Sequence, residues 1–300
     1  EATREELEIE EYVFKQFGII PTDYDFAECI RPAFFRQASA FYSPRRKEVI
    51  LPAWSPTPTQ TLIHEAVHVL QDQQLDLAEN DALRGFFHDR SLASGALLEG
   101  DARMITRQIL QKYPYINDDR PTQPFETLPI PDPKCSFPHS LTRLFDFQYE
   151  GGLTYWQKLN ERYPNASRKE VLRLFPTQTS IILQPEKTFE APTDEICRGT
   201  KGEYARSLGV AMIQEALMTM VPEKRAMSIA SDLSFDCYHA TAKKVLWTST
   251  WETTQSLTEF LYFVRRMKEL SPTLFEGKFS REGVTLTFYG EKAAVSPQVR

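Results

Sequence analysis

Two imidazoles and a carboxylate fall together in His64-Glu65-Ala66-Val67-His68. Helix positions four apart share one face, so both rings can grip a single metal ion at ~2.0–2.1 Å, the zinc–nitrogen distance. Glu65 projects about 100° round the helix from His64 and is no ligand. Its longer side chain can instead reach a water on the metal and take its proton. Residue types and spacing therefore point to Zn2+ and to hydrolysis. The plain alternative is a pair of core or surface histidines on an ordinary helix.

The chain around this pattern supplies a helix to carry it. Thr57 and Pro58 suit a helix start, a capping hydroxyl and then a ring fixed at helical φ, and Ile63, Ala66, Val67 and Leu70 recur at helical spacing. A tetrahedral catalytic zinc needs a third protein ligand and one open position. Gln71 and Gln74 stand where an elongated motif would place a glycine and a third histidine, which excludes that solution. A carboxylate on a second helix is the other common one. Residues 91–113 read as that helix from Leu98, Ala102, Ile105 and Ile109, with Gly95, Ala96 and Gly100 thinning one side so that it can lie close against the first. Glu99 sits in this thin patch, where an unpaired carboxylate is costly unless a cation receives it. Glu99 is the expected third ligand and His88 its rival, while Asp72 is read either as orienting an imidazole or as a solvated acid.

At these residues the chain resembles a known family. HEAVHVLQDQQLDL followed by ALLEGDA is similar to the HExxH and EGDA motifs of a largely uncharacterised group of bacterial gluzincin-type metallopeptidases. Residues 176–187, PTQTSIILQPEK, and residues 245–260 resemble further segments of that group, so the likeness runs over most of the chain. It departs at Gln184, where the family usually has histidine. The resemblance implies a zincin-like core, Zn2+ as cofactor, His64, His68 and Glu99 as its ligands, Glu65 as general base and then proton donor to the leaving amine, and a peptide or protein substrate. Residues 148–152, QYEGG, resemble the family's tyrosine-then-glycine segment. Tyr149 is accordingly expected to donate to the oxyanion, with Gly151 and Gly152 giving the backbone room to approach a cleft. His139 and Tyr155 are rival donors, and a tyrosine simply packed in a helix is the other reading.

Composition bounds these expectations. The chain has 300 residues, 41% hydrophobic and 25% charged, enough for a substantial core. It is read as a single metallopeptidase unit over 1–300, with a zinc-binding half (1–113), a proline-rich loop (114–138) and a helical and antiparallel-sheet half (139–300). Seven of the 20 prolines fall in that loop, which suits either a lid or a stiff crossover. A net charge of −6 without a long basic run argues against nucleic acid as a partner. No apolar run approaches the ~18–20 residues of an integral membrane segment. The sequence starts at Glu1, which leaves open an exported protein with its targeting segment removed. Four cysteines without a C-x-x-C pair allow two disulfides in three connectivities, or four reduced thiols.

Thr3 and Glu6 form a capping-box pattern into a helix ending near Gly18, and residues 34–42 and 47–51 read as a hairpin ahead of the zinc helix, its free edge open to an extended substrate. Helices are expected over 139–162, 167–175, 202–220, from Pro222 to about 230, and over 253–270. Strands are expected over 233–239, 245–251 and 284–289. Asn165-Ala166-Ser167 fits a glycosylation sequon and equally a helix cap. The fold class is α+β and mainly helical, a zincin-like core with its HExxH helix and N-terminal hairpin plus a C-terminal antiparallel sheet packed by helices. A metal-binding scaffold or interaction protein without proteolytic activity is the second functional reading. Retention of Glu65 weighs against it. A hydrolase of another amide is the third.

Overall fold

The computed structural model describes residues 3–53, 57–80, 83, 85–116, 135–189, 197, 199, 204–241, 244–270, 275–279 and 283–289. In chain order it runs through α1 (Arg4–Gln16), α2 (Phe26–Gln37), β1 (Phe41–Ser43), β2 (Glu48–Ile50), α3 (Thr59–Leu75) and α4 (Asp89–Lys112). Next come α5 (His139–Asp146), α6 (Gly152–Arg162), α7 (Arg168–Leu174), α8 (Thr179–Leu183), β3 (Tyr204–Arg206), α9 (Gly209–Met218) and α10 (Glu223–Ala230). The chain then passes through β4 (Leu233–Thr241), β5 (Lys244–Trp251), α11 (Thr254–Leu270), β6 (Phe275–Phe279) and β7 (Gly283–Tyr289). The protein is thus α+β and mainly helical, with a small antiparallel sheet. Among the described residues no helix is long and apolar enough to cross a membrane. The proline-rich loop expected over 114–138 lies mostly outside the described residues.

Contacts divide the chain into two compact units that interleave in sequence: residues 28–86 with 90–190, and residues 1–27, 87–89 and 191–300. The second unit is organised by its sheet, of order β3-β4-β5-β7-β6, each pair antiparallel. Along β5 the buried positions are Val245, Trp247, Ser249 and Trp251, the period-two signature of a strand with one face on a core. Phe17 meets Trp247 edge-on at 5.3 Å, and Phe260 of α11 packs on Trp247 and Trp251 at 5.4 and 4.8 Å. The reciprocal Thr3–Glu6 cap starts α1 as its sequence pattern requires. Buried Asp236 of β4 accepts the Leu208 and Gly209 backbone N–H groups and the Trp247 indole N–H, which anchors the start of α9 to the sheet. The helix expected over 202–220 therefore begins only at Gly209, and residues 204–206 before it form an edge strand.

The first unit is helical apart from the hairpin of β1 and β2, paired Phe41 to Ile50, Tyr42 to Val49 and Ser43 to Glu48. The strand expected from residue 34 is far shorter, because residues 34–37 finish α2. Phe26, Cys29, Ile30 and Ala33 are buried at helical spacing, and Phe34 packs its ring against Phe86, Phe137 and Phe145 rather than in a sheet. Ser167 and Glu170 cap α7 reciprocally, so the capping reading of that stretch matches the local hydrogen bonds. One disulfide lies in each unit, Cys29–Cys135 and Cys197–Cys237.

Candidate metal centre

The centre is built on α3, whose start differs from the sequence expectation. Thr57 does not cap it; its hydroxyl donates instead to the Ser39 carbonyl at 3.0 Å, and Pro58 occupies the N-cap with extended backbone. The helix ends at Asp76, in the left-handed region at φ 50°, which a short polar side chain tolerates. Between these ends His64 and His68 project toward α4, and Glu65, Gln71 and Asp72 are buried.

Glycine fixes the place of α4, but against a different partner from the one expected. A side-chain carbon on Gly100 would lie 2.1 Å from the backbone of Gly152, and one on Gly152 would lie 2.0 Å from the Ala96 carbonyl oxygen. The thin side of α4 therefore receives α6, not α3, and the Trp156 indole donates to the Leu97 carbonyl at 2.8 Å in the same contact. Side chains, not bare backbone, span from α4 to α3. The helix expected over 139–162 is present from His139 to Arg162, with one π-helical turn, Phe147–Gly151, just before Gly152, and this turn carries Tyr149. Such turns re-aim a side chain out of the regular register. The backbone contact at Gly100 and Gly152 thus puts Glu99, on α4, beside Tyr149, on the turn that leads into α6.

His64 Nε2 lies 2.9 Å from Glu99 Oε2, His68 Nε2 lies 3.3 Å from the same oxygen, and the two ring nitrogens are 3.1 Å apart. Ligand atoms around a tetrahedral ion with ~2.0–2.1 Å bonds stand about 3.3 Å from one another, so this triangle is close to one face of such a site. Two nitrogens and a carboxylate oxygen are also a donor set that zinc takes. The residues fit the ion. Burial favours a neutral His68 ring, but the Glu99 charge and hydrogen bond outweigh it and lift the ring to about 9. For Glu99, burial pulls upward, yet the charge of His68 and the bonds from both rings hold the carboxyl well below the usual carboxylate range.

Glu65 is raised above an ordinary carboxyl, chiefly by burial and against the pull of the two histidines. Its Oε2 accepts the backbone N–H of Tyr42 at 2.7 Å, so the hairpin holds the carboxylate. Asp72 orients no imidazole and is not solvated. It accepts the Tyr42 hydroxyl at 2.6 Å, the Lys47 ammonium at 2.9 Å and the Leu77 backbone N–H at 2.9 Å, tying β1 and the turn of the hairpin to the end of α3. The partner of the His68 ring is Gln71, whose Oε1 lies 2.8 Å from Nδ1. Neither Gln71 nor Tyr42 was picked out as a site residue from sequence; for Gln71 the available signal was its place three residues after a ligand.

The Tyr149 ring stacks on the His64 ring with centroids 6.1 Å apart, and its phenol feels the Glu99 carboxylate. Burial first, then the charges of Glu99 and Glu65, push the phenol well above its ordinary value. The Arg103 guanidinium stands 6.0 Å from the Tyr149 ring centroid and pairs with Glu150 at 2.7 Å. The rival residues fall elsewhere. His88 belongs to the sheet-containing unit, His139 is exposed at the first position of α5, and Tyr155 is a core residue whose hydroxyl accepts from Thr188 at 3.2 Å. Beside the centre a cavity of about 240 Å³ has Tyr42, His68, Glu99, Phe34, Phe86 and Leu98 in its lining. A scan against protein-family models and a search of curated proteins found no match to this chain.

Proposed function

We propose that the protein is a zinc-dependent hydrolase of peptide bonds, a gluzincin-type metallopeptidase on a zincin-like core. The observation that carries this reading is the convergence of His64 Nε2, His68 Nε2 and Glu99 Oε2 at spacings of 2.9–3.3 Å, with the Glu65 carboxylate buried on the same helix between the two rings in sequence. Bound there, zinc would supply Lewis acidity and lower the pKa of its water to about 7. Glu65 takes the proton of the attacking water and delivers it to the leaving amine. With Oε2 held by Tyr42, the other carboxylate oxygen is the one available for that transfer. Burial raises its pKa above that of an ordinary carboxyl, which strengthens it as a proton acceptor. Tyr149 keeps its proton at neutral pH and so can donate to the developing oxyanion. The cavity of about 240 Å³ is smaller than a whole small-molecule site and suits one apolar side chain of a peptide. The two disulfides support an exported, oxidising location.

The test is to incubate zinc-loaded protein with a peptide library and with a panel of non-peptide amides. Cleavage confined to peptides is expected, and Glu65→Gln should keep its zinc while losing at least ~100-fold in turnover. Unchanged turnover in that variant overturns the mechanism. Zinc uptake without hydrolysis of any substrate returns the protein to the scaffold reading, and cleavage of only the non-peptide amides to the third.

A further inference from the structure

Gln71 is fully buried, and its two ends face different chemistry. Its amide nitrogen lies 3.0 Å from the Leu98 carbonyl oxygen and 2.7 Å from Asp101 Oδ2. A carbonyl and a carboxylate only accept, so the end facing them is the NH2 group, both of its hydrogens are used, and the amide oxygen is left to face His68. His68 Nδ1, 2.8 Å from that oxygen, must then be the donor. In the neutral ring this leaves the Nε2 lone pair directed toward His64 and Glu99. The second partner of Gln71 is itself held: Asp101 is fully buried and receives Arg168 Nε on Oδ1 at 2.6 Å and Arg168 Nη2 on Oδ2 at 2.5 Å. A two-pronged pair of this kind fixes the plane of the carboxylate as well as its charge. Arg168 is placed in turn by the reciprocal Ser167–Glu170 cap that fixes the first turn of α7.

We propose that Arg168 is a positioning residue for the metal centre, acting through Asp101 and Gln71 to hold His68 with Nδ1 protonated and Nε2 turned to the ion. The proposal rests on the zinc reading above, but its geometry is present in the protein without the ion. Removing the guanidinium leaves a buried carboxylate without its cation. Asp101 then turns away, and Gln71 loses the acceptor that orients its amide. The consequence at the ring is a less constrained imidazole and weaker metal binding, with no loss of a ligand.

The experiment compares wild type, Arg168→Gln and Arg168→Lys by two readouts, zinc affinity from chelator competition and the His68 ring N–H signals in proton–nitrogen correlation spectra of histidine-labelled protein. In wild type the Nδ1–H signal is expected to be sharp and slow to exchange, with or without zinc. Arg168→Gln should lose that signal to exchange and bind zinc roughly 10–100-fold more weakly. Arg168→Lys keeps the charge without the planar fork and should recover part of both. Wild-type affinity together with an intact Nδ1–H in Arg168→Gln overturns the proposal. Zinc-free spectra separate it from the functional reading: a held Nδ1–H in a protein that takes up no zinc removes the zinc reading and keeps the positioning role, while its absence from wild type removes the positioning role. If Arg168→Gln fails to fold, Gln71→Leu is read in the same way, since it keeps the approximate bulk of the side chain and deletes the acceptor.

Discussion

Tyr149 meets the centre through its ring, stacked on His64, with its phenol in the field of the Glu99 and Glu65 carboxylates where an oxyanion donor would stand. If its contribution belongs to the transition state, Tyr149→Phe should lower kcat by roughly 100-fold or more, the usual effect of deleting one oxyanion donor, with zinc content and Tm nearly unchanged. Steady-state kinetics beside a thermal melt decide it: wild-type kcat removes Tyr149 from the mechanism, and a lowered Tm returns it to packing against His64 and Phe145. The His64–His68 pair was legible in the sequence because spacing along one helix places it, with no help from the rest of the fold. Glu99 was legible by its chemistry, a lone carboxylate in a patch of small residues. The role of Gln71 was not, since it depends on Asp101 and Arg168 meeting it from α4 and α7, and a long-range pairing of that kind leaves no periodicity to read.

Elements set the precision of the site, and the crossing of α4 on α6 is the most demanding contact among them. A methyl group on Gly152 would sit 2.0 Å from the Ala96 carbonyl oxygen and 3.0 Å from the Gly100 Cα, both backbone atoms that no rotamer change can move. Gly152→Ala should therefore push the helices apart, cost at least about 2 kcal/mol of stability and weaken zinc binding by separating Glu99 from the two histidines. A melt and a zinc titration check this together. A variant with wild-type Tm and affinity would mean that the close approach is not what sets the centre. The glycines themselves were visible in sequence, yet which helix they admit was not. Small residues announce a close neighbour without naming it. The same limit explains α2, where Phe34 and Phe35 suggested a strand but the helical spacing of Phe26, Cys29, Ile30 and Ala33 decided the structure.

At the scale of the molecule, residues 1–27 join the sheet formed more than 170 residues later, and α1 carries a buried acid into that unit. Glu10 is almost inaccessible; its Oε1 accepts the Tyr204 hydroxyl at 2.6 Å and its Oε2 has no hydrogen-bond partner among the described residues. Burial raises its pKa from 4.5 to about 7, against the pull of Tyr204 and Arg206. The folded chain thus keeps this proton where the unfolded chain has released it. The associated stability is fully present below about pH 4.5 and is lost as pH rises through about 7, amounting to roughly 3 kcal/mol at about 1.4 kcal/mol for each pH unit between the two values. Chemical denaturation across that range should show the decline in wild type and a flatter profile in Glu10→Gln; equal slopes would contradict it. Strands β4, β5 and β7 and helices α10 and α11 were legible because period-two and period-3.6 runs alternate there, whereas the edge strands β3 and β6 and the return of α1 to the same unit were not. The metal centre stands or falls on one measurement, the zinc content of the purified protein by elemental analysis after reconstitution and removal of free metal. The expected result is one zinc per chain, lost in Glu99→Ala and retained in His88→Ala. A chain that holds no zinc, or one that keeps it in Glu99→Ala and releases it in His88→Ala, would contradict it.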